Sequence, residues 1–401
     1  MRNYKKIYVT TKAENSIKKN HPWIYDGEIV KEDEDILNGD IVDVVSQKDK
    51  YLGSGFYNSN SKIRVRLISR NANDTFDEAF WRRRIEYALS YRMMIMPNEN
   101  SFRVIYGEAD ELPGLTVDKF GNILVCQILS LGIDIRRDII LPLLYDVMHE
   151  HGFLIDGIYL RGDVALRDKE GLDNHSGWYE EVPHIESTIT EIEENGIKYL
   201  VDFANGQKTG FFLDQKYNRL IVRGLAKDKR VLDCCTHTGS FAMNAYLGGA
   251  KKVVATDISE KALIDAQENF KLNNMQIETI MDDVFHLLEE LSKKKTKEYD
   301  FIILDPPAFT KSRKTVDRAL RGYEEINYLA MKALPRGGIL ATASCSHFAT
   351  EELFLKAIFD ASIKAGVKLK QIKRETASPD HPVMLGIEET NYLKFFVFQI
   401  I

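Results

Sequence analysis

Short apolar runs alternate with turn residues over the first part of the chain, a pattern that predicts strands. Candidate strands are Ile41–Val45, Tyr51–Phe56 and Lys62–Leu67. Because side chains alternate between the two faces of a strand, the last of these places Ile63, Val65 and Leu67 on one face and Lys62, Arg64 and Arg66 on the other. We therefore predict a small β domain over residues 1–72 with one basic strand face.

Residues 73–185 mix helical and strand patterns and predict a small α+β domain. A helix signal starts at Thr75. Strands are expected at Arg103–Tyr106 and along Leu115–Cys126, the latter with a turn at Phe120–Asn122. A helix is expected over Ile135–Met148 and a strand at Gly157–Leu160.

Beyond about residue 225, apolar runs and helical patterns alternate. The predicted strands are Arg230–Cys234, Lys252–Thr256, Ile277–Met281, Phe301–Leu304 and Gly338–Ala343. Alternating strands and helices form βαβ units, so we predict an α/β domain over residues 186–401 whose parallel sheet is covered on both faces. Ligands of such sheets bind beyond the carboxyl ends of the strands.

A residue with a carboxyl or thiol group lies at or near the carboxyl end of each of these strands. The five are Asp233, Asp257, Asp283, Asp305 and Cys345, the last within the segment TASCSHF. Any single one of the acids can serve as a helix cap. The ordered set, one residue per strand, indicates a binding site at the sheet edge.

The turn at residues 233–240 decides which ligand is expected there. It has one glycine, Gly239, and an acid, Asp233, whereas a dinucleotide requires a G-x-G-x-x-G turn that accepts a pyrophosphate. A ligand with an ammonium, a sulfonium and a ribose fits better, which indicates S-adenosylmethionine. We expect Asp233 at its methionine end, Gly239 to let the backbone approach, Asp257 at the ribose and Asp283 at the adenine amine.

Composition adds limits to this picture. The chain has 401 residues, 44% of them apolar, a formal charge of −6 and four cysteines. The chain lacks an apolar run long enough to cross a membrane, so we expect no membrane association. So few cysteines in a chain of this length indicate a reducing compartment, so we expect a cytoplasmic protein. Cys234, Cys235 and His237 do not predict a metal site, because adjacent cysteines on a strand point to opposite faces and no second ligand pair has zinc spacing.

A proline-rich loop and a basic helix follow the fourth strand. Asp305-Pro306-Pro307 predicts a rigid extended loop, followed by Ala308 and Phe309. Val316, Ala319, Tyr323, Ile326 and Ala330 share one side of the next helix, whereas Lys314, Arg318 and Arg321 share the other. The positions predicted to contact RNA are Lys62, Arg64, Arg66, Lys311, Arg313, Lys314, Arg318 and Arg321, and a merely solvated basic surface is the alternative.

Taken in order, nine segments resemble one known family. They are HPWIYDGEI, ELPGLTVDKFG, GQKTGFFLDQKYNR, LDCCTHTGSFAMNAYLGGAKKVVATDIS, MDDVFHLL, LDPPAFTKSR, RGYEEIN, SCSHF and PDHPV. The chain is similar along nearly its whole length to the bacterial ribosomal RNA large subunit methyltransferase I family, which makes 5-methylcytosine in 23S ribosomal RNA.

The resemblance implies an amino-terminal PUA domain, a small α+β middle domain and a Rossmann-like class I methyltransferase domain whose last strand, within residues 391–400, is antiparallel. It also implies that Gln215, Asp257 and Asp283 contact S-adenosylmethionine and that Cys345 is the nucleophile. The implied partner is 23S ribosomal RNA or a large-subunit precursor, and a homodimer is left open.

The chemistry of cytosine gives Cys345 a reason to be present. Carbon 5 of cytosine becomes nucleophilic when a thiolate adds to carbon 6, which is covalent catalysis, and Asp305 is placed to hydrogen-bond the base. No second cysteine follows the proline motif. The base that removes the final proton is left as His347 or water.

Two alternatives remain from the sequence. Asp-Pro-Pro followed by an aromatic also resembles methyltransferases that modify the amino group of guanine or adenine, although here Ala308 displaces Phe309 by one position. A scaffold that binds RNA but has lost activity is the second alternative.

Overall fold

The computed structural model describes residues 3–163, 166–310 and 312–401. The chain divides into two compact units. The first contains the chain up to Ile192 together with Val201–Leu213 and Pro379–Thr390, and the second contains Glu193–Leu200, Asp214–Ser378 and Asn391–Ile401. Within the described residues, no helix combines the length and the apolar character that crossing a bilayer requires.

The first unit begins with a six-stranded sheet. Its strands are β1 (Lys6–Val9), β2 (Trp23–Tyr25), β3 (Ile29–Glu32), β4 (Ile41–Ser46), β5 (Tyr51–Tyr57) and β6 (Ile63–Ser69), in the order β2-β6-β5-β4-β1-β3, and helix α1 spans Thr11–Lys18. Strands β1 and β4 pair in parallel, and β4, β5 and β6 form an antiparallel meander. The three strands predicted for this region are confirmed within two residues.

A five-stranded sheet and its helices complete most of the first unit. The elements are α2 (Glu78–Ile95), β7 (Phe102–Tyr106), β8 (Leu115–Phe120), β9 (Ile123–Ile128), α3 (Leu131–Asp134), α4 (Arg137–Glu150), β10 (Gly157–Leu160), α5 (Leu166–Glu170) and β11 (Gly177–Trp178). The sheet order is β11-β10-β9-β8-β7. Helix α2 begins at the residue after Asp77, whose carboxylate accepts from Phe80 N at 3.0 Å. Apolar side chains of α2 and α4 pack on this sheet.

A two-stranded ladder, β12 (Ile189–Glu194) with β13 (Ile197–Asp202), precedes the large sheet of the second unit. The later elements are α6 (Lys216–Leu225), β14 (Arg230–Cys234), α7 (Ser240–Leu247), β15 (Lys252–Asp257), α8 (Glu260–Leu272), β16 (Glu278–Met281), α9 (Val284–Lys293), β17 (Phe301–Leu304), α10 (Val316–Ala333), β18 (Ile339–Ser344), α11 (Glu351–Ala365), β19 (Leu369–Glu375) and β20 (Lys394–Ile400). The seven strands are ordered β16-β15-β14-β17-β18-β20-β19.

Strands β14 to β18 are parallel, and β20 runs antiparallel to both β18 and β19. The predicted α/β class and the antiparallel last strand are therefore confirmed. Neighbouring residues of β20 face opposite helix layers, since Phe395 stacks on Phe241 of α7 at 6.0 Å and Phe396 packs on Phe354 of α11 at 6.1 Å. Helices thus cover both faces of the sheet.

Candidate active site

The carboxyl edge of the parallel strands gathers the five residues singled out from the sequence. Asp233 is the penultimate residue of β14, Asp257 ends β15, and Asp283, Asp305 and Cys345 follow β16, β17 and β18 within two residues. All five belong to the second unit. The edge therefore combines carboxylates with one thiol.

The electrostatic environment of Cys235, directly after β14, shows that the four acids lie near one another. Burial raises the pKa of its thiol, and the charges of Asp257, Asp305, Asp233 and Asp283 raise it further, in that order of size. All four carboxylates are therefore close enough to act on one sulfur atom. Such a negative edge suits a cationic ligand and disfavours a phosphate.

The loop between β14 and α7 is held by Asp233. Its Oδ2 accepts from Thr236 Oγ1 at 2.5 Å and from Ala242 N at 2.9 Å, and the residue is 1% exposed. Burial raises the pKa of this carboxyl to about 7, against the effect of both hydrogen bonds. In the described structure Asp233 thus orders the loop.

Gly239 lies in the same loop with a φ of +79°. A Cβ atom at this position would lie 2.3 Å from Cε1 of Phe270 in α8. The absent side chain is therefore required by packing against α8 and by the left-handed backbone.

Asp257 and Asp283 both use their carboxylates on backbone N–H groups. Asp257 Oδ2 accepts from His237 N and Oδ1 from Ser259 N, each at 3.0 Å. Asp283 is the N-cap of α9, and its Oδ1 accepts from Phe285 N at 2.9 Å. An ionised carboxylate has further lone pairs, so neither set of bonds precludes a ligand hydroxyl or amine.

Gln215 lies directly before α6 and is 3% exposed. Its Nε2 donates to Asp305 Oδ2 at 3.1 Å, and its Oε1 accepts from Asn218 Nδ2 at 2.6 Å. The amide of Gln215 therefore orients Asp305. The sequence pattern did not indicate this contact, since the two residues are 90 positions apart.

Cys345 is half-buried at the end of β18, and the residues around it are buried and polar. Ser346 Oγ and the Tyr323 hydroxyl lie 2.8 Å apart. Lys394 of β20 is 4% exposed, and its Nζ donates to Ser346 O at 2.7 Å. Sequence reasoning missed Lys394, although a lysine inside the apolar run NYLKFFVFQI was a signal for a buried charge.

The loop after Asp305 packs its aromatic residue inward. The ring of Phe309 lies 4.6 Å from that of Tyr323 and 6.2 Å from that of Phe285. A Cβ on Gly322 would lie 3.1 Å from the Phe309 ring, so this residue of α10 also closes around it. Phe309 thus contributes to the core beside the site.

The described residues that were predicted to face RNA differ in their exposure. Arg313, Lys314, Arg318 and Arg321 are exposed. Of the apolar stripe predicted on the opposite side, Ala319, Tyr323, Ile326 and Ala330 are buried and Val316 is half-buried. Lys62 is exposed and Arg64 is half-buried. Lys311 lies outside the described residues.

Arg66 is a correction to the predicted basic strand face. Its guanidinium lies 2.8 Å from Glu170 Oε1 and 3.4 Å from Glu108 Oε1, and its side chain is 8% exposed. The period of two indicated which way this side chain points but not that two acids from distant segments would cover it. Arg66 is therefore a buried ion-pair partner and does not belong to a free basic surface.

Asp380 and His381, which matched the resembling family without a chemical role, tie a loop to the first unit. Asp380 Oδ2 accepts from Arg103 N at 2.8 Å, its backbone oxygen accepts from Arg92 Nη2 at 2.9 Å, and its Oδ1 lies 2.8 Å from His381 Nδ1. The His381 ring packs on Tyr106 at 5.5 Å. Their contacts give them a structural role.

The chain is similar to known proteins along nearly its whole length. Residues 7–70 match a PUA-like domain, and residues 163–388 match the S-adenosylmethionine-dependent methyltransferase family. A ribosomal RNA large subunit methyltransferase I of Klebsiella pneumoniae is 37% identical over 402 residues, covering 99% of this chain and 98% of that protein. The Escherichia coli protein of the same name is 38% identical over 392 residues, covering 96% and 97%.

The chain belongs to the ribosomal RNA large subunit methyltransferase I family. Its fold is also that of a solved S-adenosylmethionine-dependent methyltransferase from Streptococcus mutans, with a TM-score of 0.82, 22% identity and coverage of 98% and 99% of the two chains. The cofactor of this family is S-adenosylmethionine, as the carboxylate-lined edge indicated. The domain boundaries at residues 72 and 185 stay predictions.

The residues present fit this cofactor. S-adenosylmethionine has a sulfonium, an ammonium and a ribose diol, and the edge offers four carboxylates acting on one point. Within the described residues, Asp233 Oδ1 is buried with no hydrogen-bond partner, which a cationic ligand nearby would compensate electrostatically. The polar groups are those that such a ligand requires.

Proposed function

We propose that this protein methylates carbon 5 of a cytosine in 23S ribosomal RNA, with Cys345 as the covalent nucleophile. The single observation that carries the proposal is the position of Cys345 directly after β18, beside β17, which Asp305 directly follows. The relatives named ribosomal RNA large subunit methyltransferase I support the substrate.

The proposed cofactor contacts are those expected from the sequence. Asp257 would hold the ribose and Asp283 the adenine amine, and the loop ordered by Asp233 and packed through Gly239 would hold the methionine end. Gln215 would act from its position directly before α6, where it also orients Asp305. S-adenosylmethionine, when bound, supplies an electrophilic methyl group.

In the proposed mechanism, the Cys345 thiolate adds to carbon 6 of cytosine and forms an S–C6 bond. The electron pair of the C5–C6 double bond moves toward the ring carbonyl and imine nitrogen, so that carbon 5 becomes nucleophilic and takes the methyl group. Loss of the proton from carbon 5 then restores the double bond and breaks the S–C6 bond, which regenerates the thiolate. The proton acceptor is His347 or water.

Asp305 would hydrogen-bond the cytosine edge and stabilise the charge that develops on addition. Because Gln215 donates to Asp305 Oδ2, the carboxylate is held in one orientation before the base arrives. The exposed residues Lys62, Arg313, Lys314, Arg318 and Arg321 are proposed to contact phosphates, as are half-buried Arg64 and Lys311, the latter from its sequence position alone. Arg66 is left out of this set.

Amino-group methylation through the Asp-Pro-Pro loop is a less suitable reading of the same site. In that motif the aromatic follows the prolines directly, whereas here Ala308 intervenes and Phe309 packs against Tyr323 and Phe285. It also needs no thiol, so substitution of Cys345 separates the two reactions.

Nucleoside mass spectrometry of 23S ribosomal RNA tests the proposal. RNA from a strain lacking this protein should lose one 5-methylcytidine, which the wild-type gene restores and Cys345→Ala does not. Cys126→Ala, which changes a buried thiol of the first unit, is the matched control and should restore the mark. Full restoration by Cys345→Ala, or loss of an N-methylated purine instead, would contradict the mechanism.

A further inference from the structure

Lys394 is a buried lysine in the strand next to Cys345. It opens β20 and pairs in register with Ser344, the residue before Cys345. Its Nζ donates to Ser346 O at 2.7 Å and to Tyr392 O at 2.8 Å. These two bonds use two of the three N–H donors of an ammonium.

The charge of Lys394 has no carboxylate against it. Among the described residues, no acidic oxygen lies within 4.0 Å of its Nζ, whereas the buried Arg219 of α6 lies 2.7 Å from Glu194 Oε1. A buried ammonium is costly unless an opposite charge compensates it. The groups of opposite sign that act on Lys394 are Cys345 and, more weakly, Glu351 of α11.

The electrostatics around Cys345 agree with this geometry. Burial lowers the pKa of Lys394 to about 8, whereas negative charge on Cys345 favours its protonated form. Burial raises the pKa of Tyr323 of α10, negative charge on Cys345 raises it further, and the Tyr323 hydroxyl lies 2.8 Å from Ser346 Oγ. Lys394 is thus a buried cation whose ammonium is held against the residue after Cys345, and negative charge on Cys345 would favour its protonated form.

We propose that Lys394 is a positioning residue that stabilises the Cys345 thiolate and fixes the Cys345–Ser346 turn through the Ser346 carbonyl. The inference rests on the proposed function only for its purpose, since the thiolate is what adds to carbon 6. Formation of the ion pair needs no other reactant, because the thiol proton is released to solvent while Lys394 remains an ammonium. When the thiolate adds to cytosine, its charge passes to the base.

The fraction of Cys345 that is present as thiolate can be measured through its reactivity. In the full-length protein, iodoacetamide alkylation of the Cys345 peptide is measured by mass spectrometry from pH 5.5 to 9.5. We expect the wild-type midpoint to lie below the value of about 8.5 for an ordinary cysteine. We expect Lys394→Met to slow alkylation at pH 7 about tenfold, the effect of moving the midpoint by one pH unit, and Lys394→Arg to retain most of the rate.

Two controls make the result specific. Lys370→Met removes an exposed lysine from the neighbouring strand β19 and should leave the profile unchanged. Alkylation of Cys235 in the same samples, together with S-adenosylmethionine binding by calorimetry, shows whether Lys394→Met is folded. If Lys394→Met is not folded, the midpoint of the wild-type alkylation profile decides alone. The difference in ultraviolet absorbance between wild type and Cys345→Ala is then a second measure of the thiolate.

A wild-type midpoint at or above about 8.5, or a folded Lys394→Met with the wild-type profile, would overturn the inference. Neither result depends on methyl transfer. If Cys345→Ala restores 5-methylcytidine, the proposed function fails while the ion pair can still be present. If Cys345→Ala is inactive and the profiles coincide, only the role of Lys394 fails.

Discussion

The carboxyl group of Asp233 shows how burial changes one residue of the site. Its pKa is raised to about 7 because the group is fully desolvated, and Thr236 and Ala242 only partly offset this. An acid with a raised pKa binds a proton more tightly in the folded state than in the unfolded chain. Between about pH 4 and pH 7 the unfolded state therefore holds fewer protons, and the free energy of unfolding falls as pH rises.

Asp233→Asn should remove this dependence, because the amide keeps an acceptor for Ala242 N but does not titrate. Between pH 5 and pH 8, without ligand, the variant should gain roughly 2–4 kcal/mol in free energy of unfolding relative to wild type. The free energy of unfolding is measured from the hydrogen exchange of peptides that contain β14 at increasing urea concentration. Thr236→Val, which keeps the acid and removes one bond that lowers its pKa, should extend the dependence to higher pH. Parallel pH curves for wild type and Asp233→Asn would contradict the assignment.

At the scale of elements, helix α10 has one side that packs in the core and an opposite side that carries exposed positive charge. Ala319, Tyr323 and Ile326 are buried, whereas Arg318 and Arg321 are exposed on the opposite side. Because the arginines make no core contact, their removal should change binding of RNA without changing the fold. The helix is therefore the clearest element on which to test the proposed RNA surface.

The double variant Arg318→Ala/Arg321→Ala should bind a ribosomal RNA fragment more weakly and with a less steep salt dependence. Loss of two phosphate contacts should reduce the slope of log K against log salt by about 1.4 to 1.8. Filter binding from 50 to 300 mM salt measures it, and Lys332→Ala, near the other end of α10, is the control. An unchanged slope would remove this face from the RNA surface.

The same scale shows which elements the sequence can predict. The parallel strands β14, β15, β17 and β18 were predictable because they are largely buried, so they appear as continuous apolar runs. Strand β19 was not predicted, since it lies at the sheet edge, is almost entirely exposed and carries the charged sequence LKQIKRE. Charged edge strands have no apolar pattern, because water covers them and charge discourages further pairing.

At the scale of the whole molecule, the chain returns to its first unit after building most of the second. The returning segment Pro379–Thr390 is fastened by Asp380, which is fully buried against Arg103 and Arg92. Every site residue at the carboxyl edge belongs to the second unit instead. Stability of the first unit and cofactor binding can therefore be measured separately.

Asp380→Ala should lower the free energy of unfolding of the first unit by roughly 2–4 kcal/mol, because it leaves the Arg103 N–H and His381 without their acceptor. All three tryptophans, Trp23, Trp81 and Trp178, lie in this unit, so fluorescence in urea reports it. Asp380→Asn, which keeps one acceptor, should lose less. Weaker S-adenosylmethionine binding with an unchanged fluorescence transition would contradict a structural role.

The sequence by itself determined the alternation of parallel strands and helices beyond residue 225, the residues at the ends of those strands and the family. Local periodicity and motif order are properties of neighbouring residues, so they can be read along the chain. Tertiary structure alone decided that Glu108 and Glu170 bury Arg66, that Gln215 orients Asp305 and that Lys394 lies against the Cys345 turn. These partners are 42, 104, 90 and 48 positions apart, and their meeting depends on sheet order and register, which no local pattern contains.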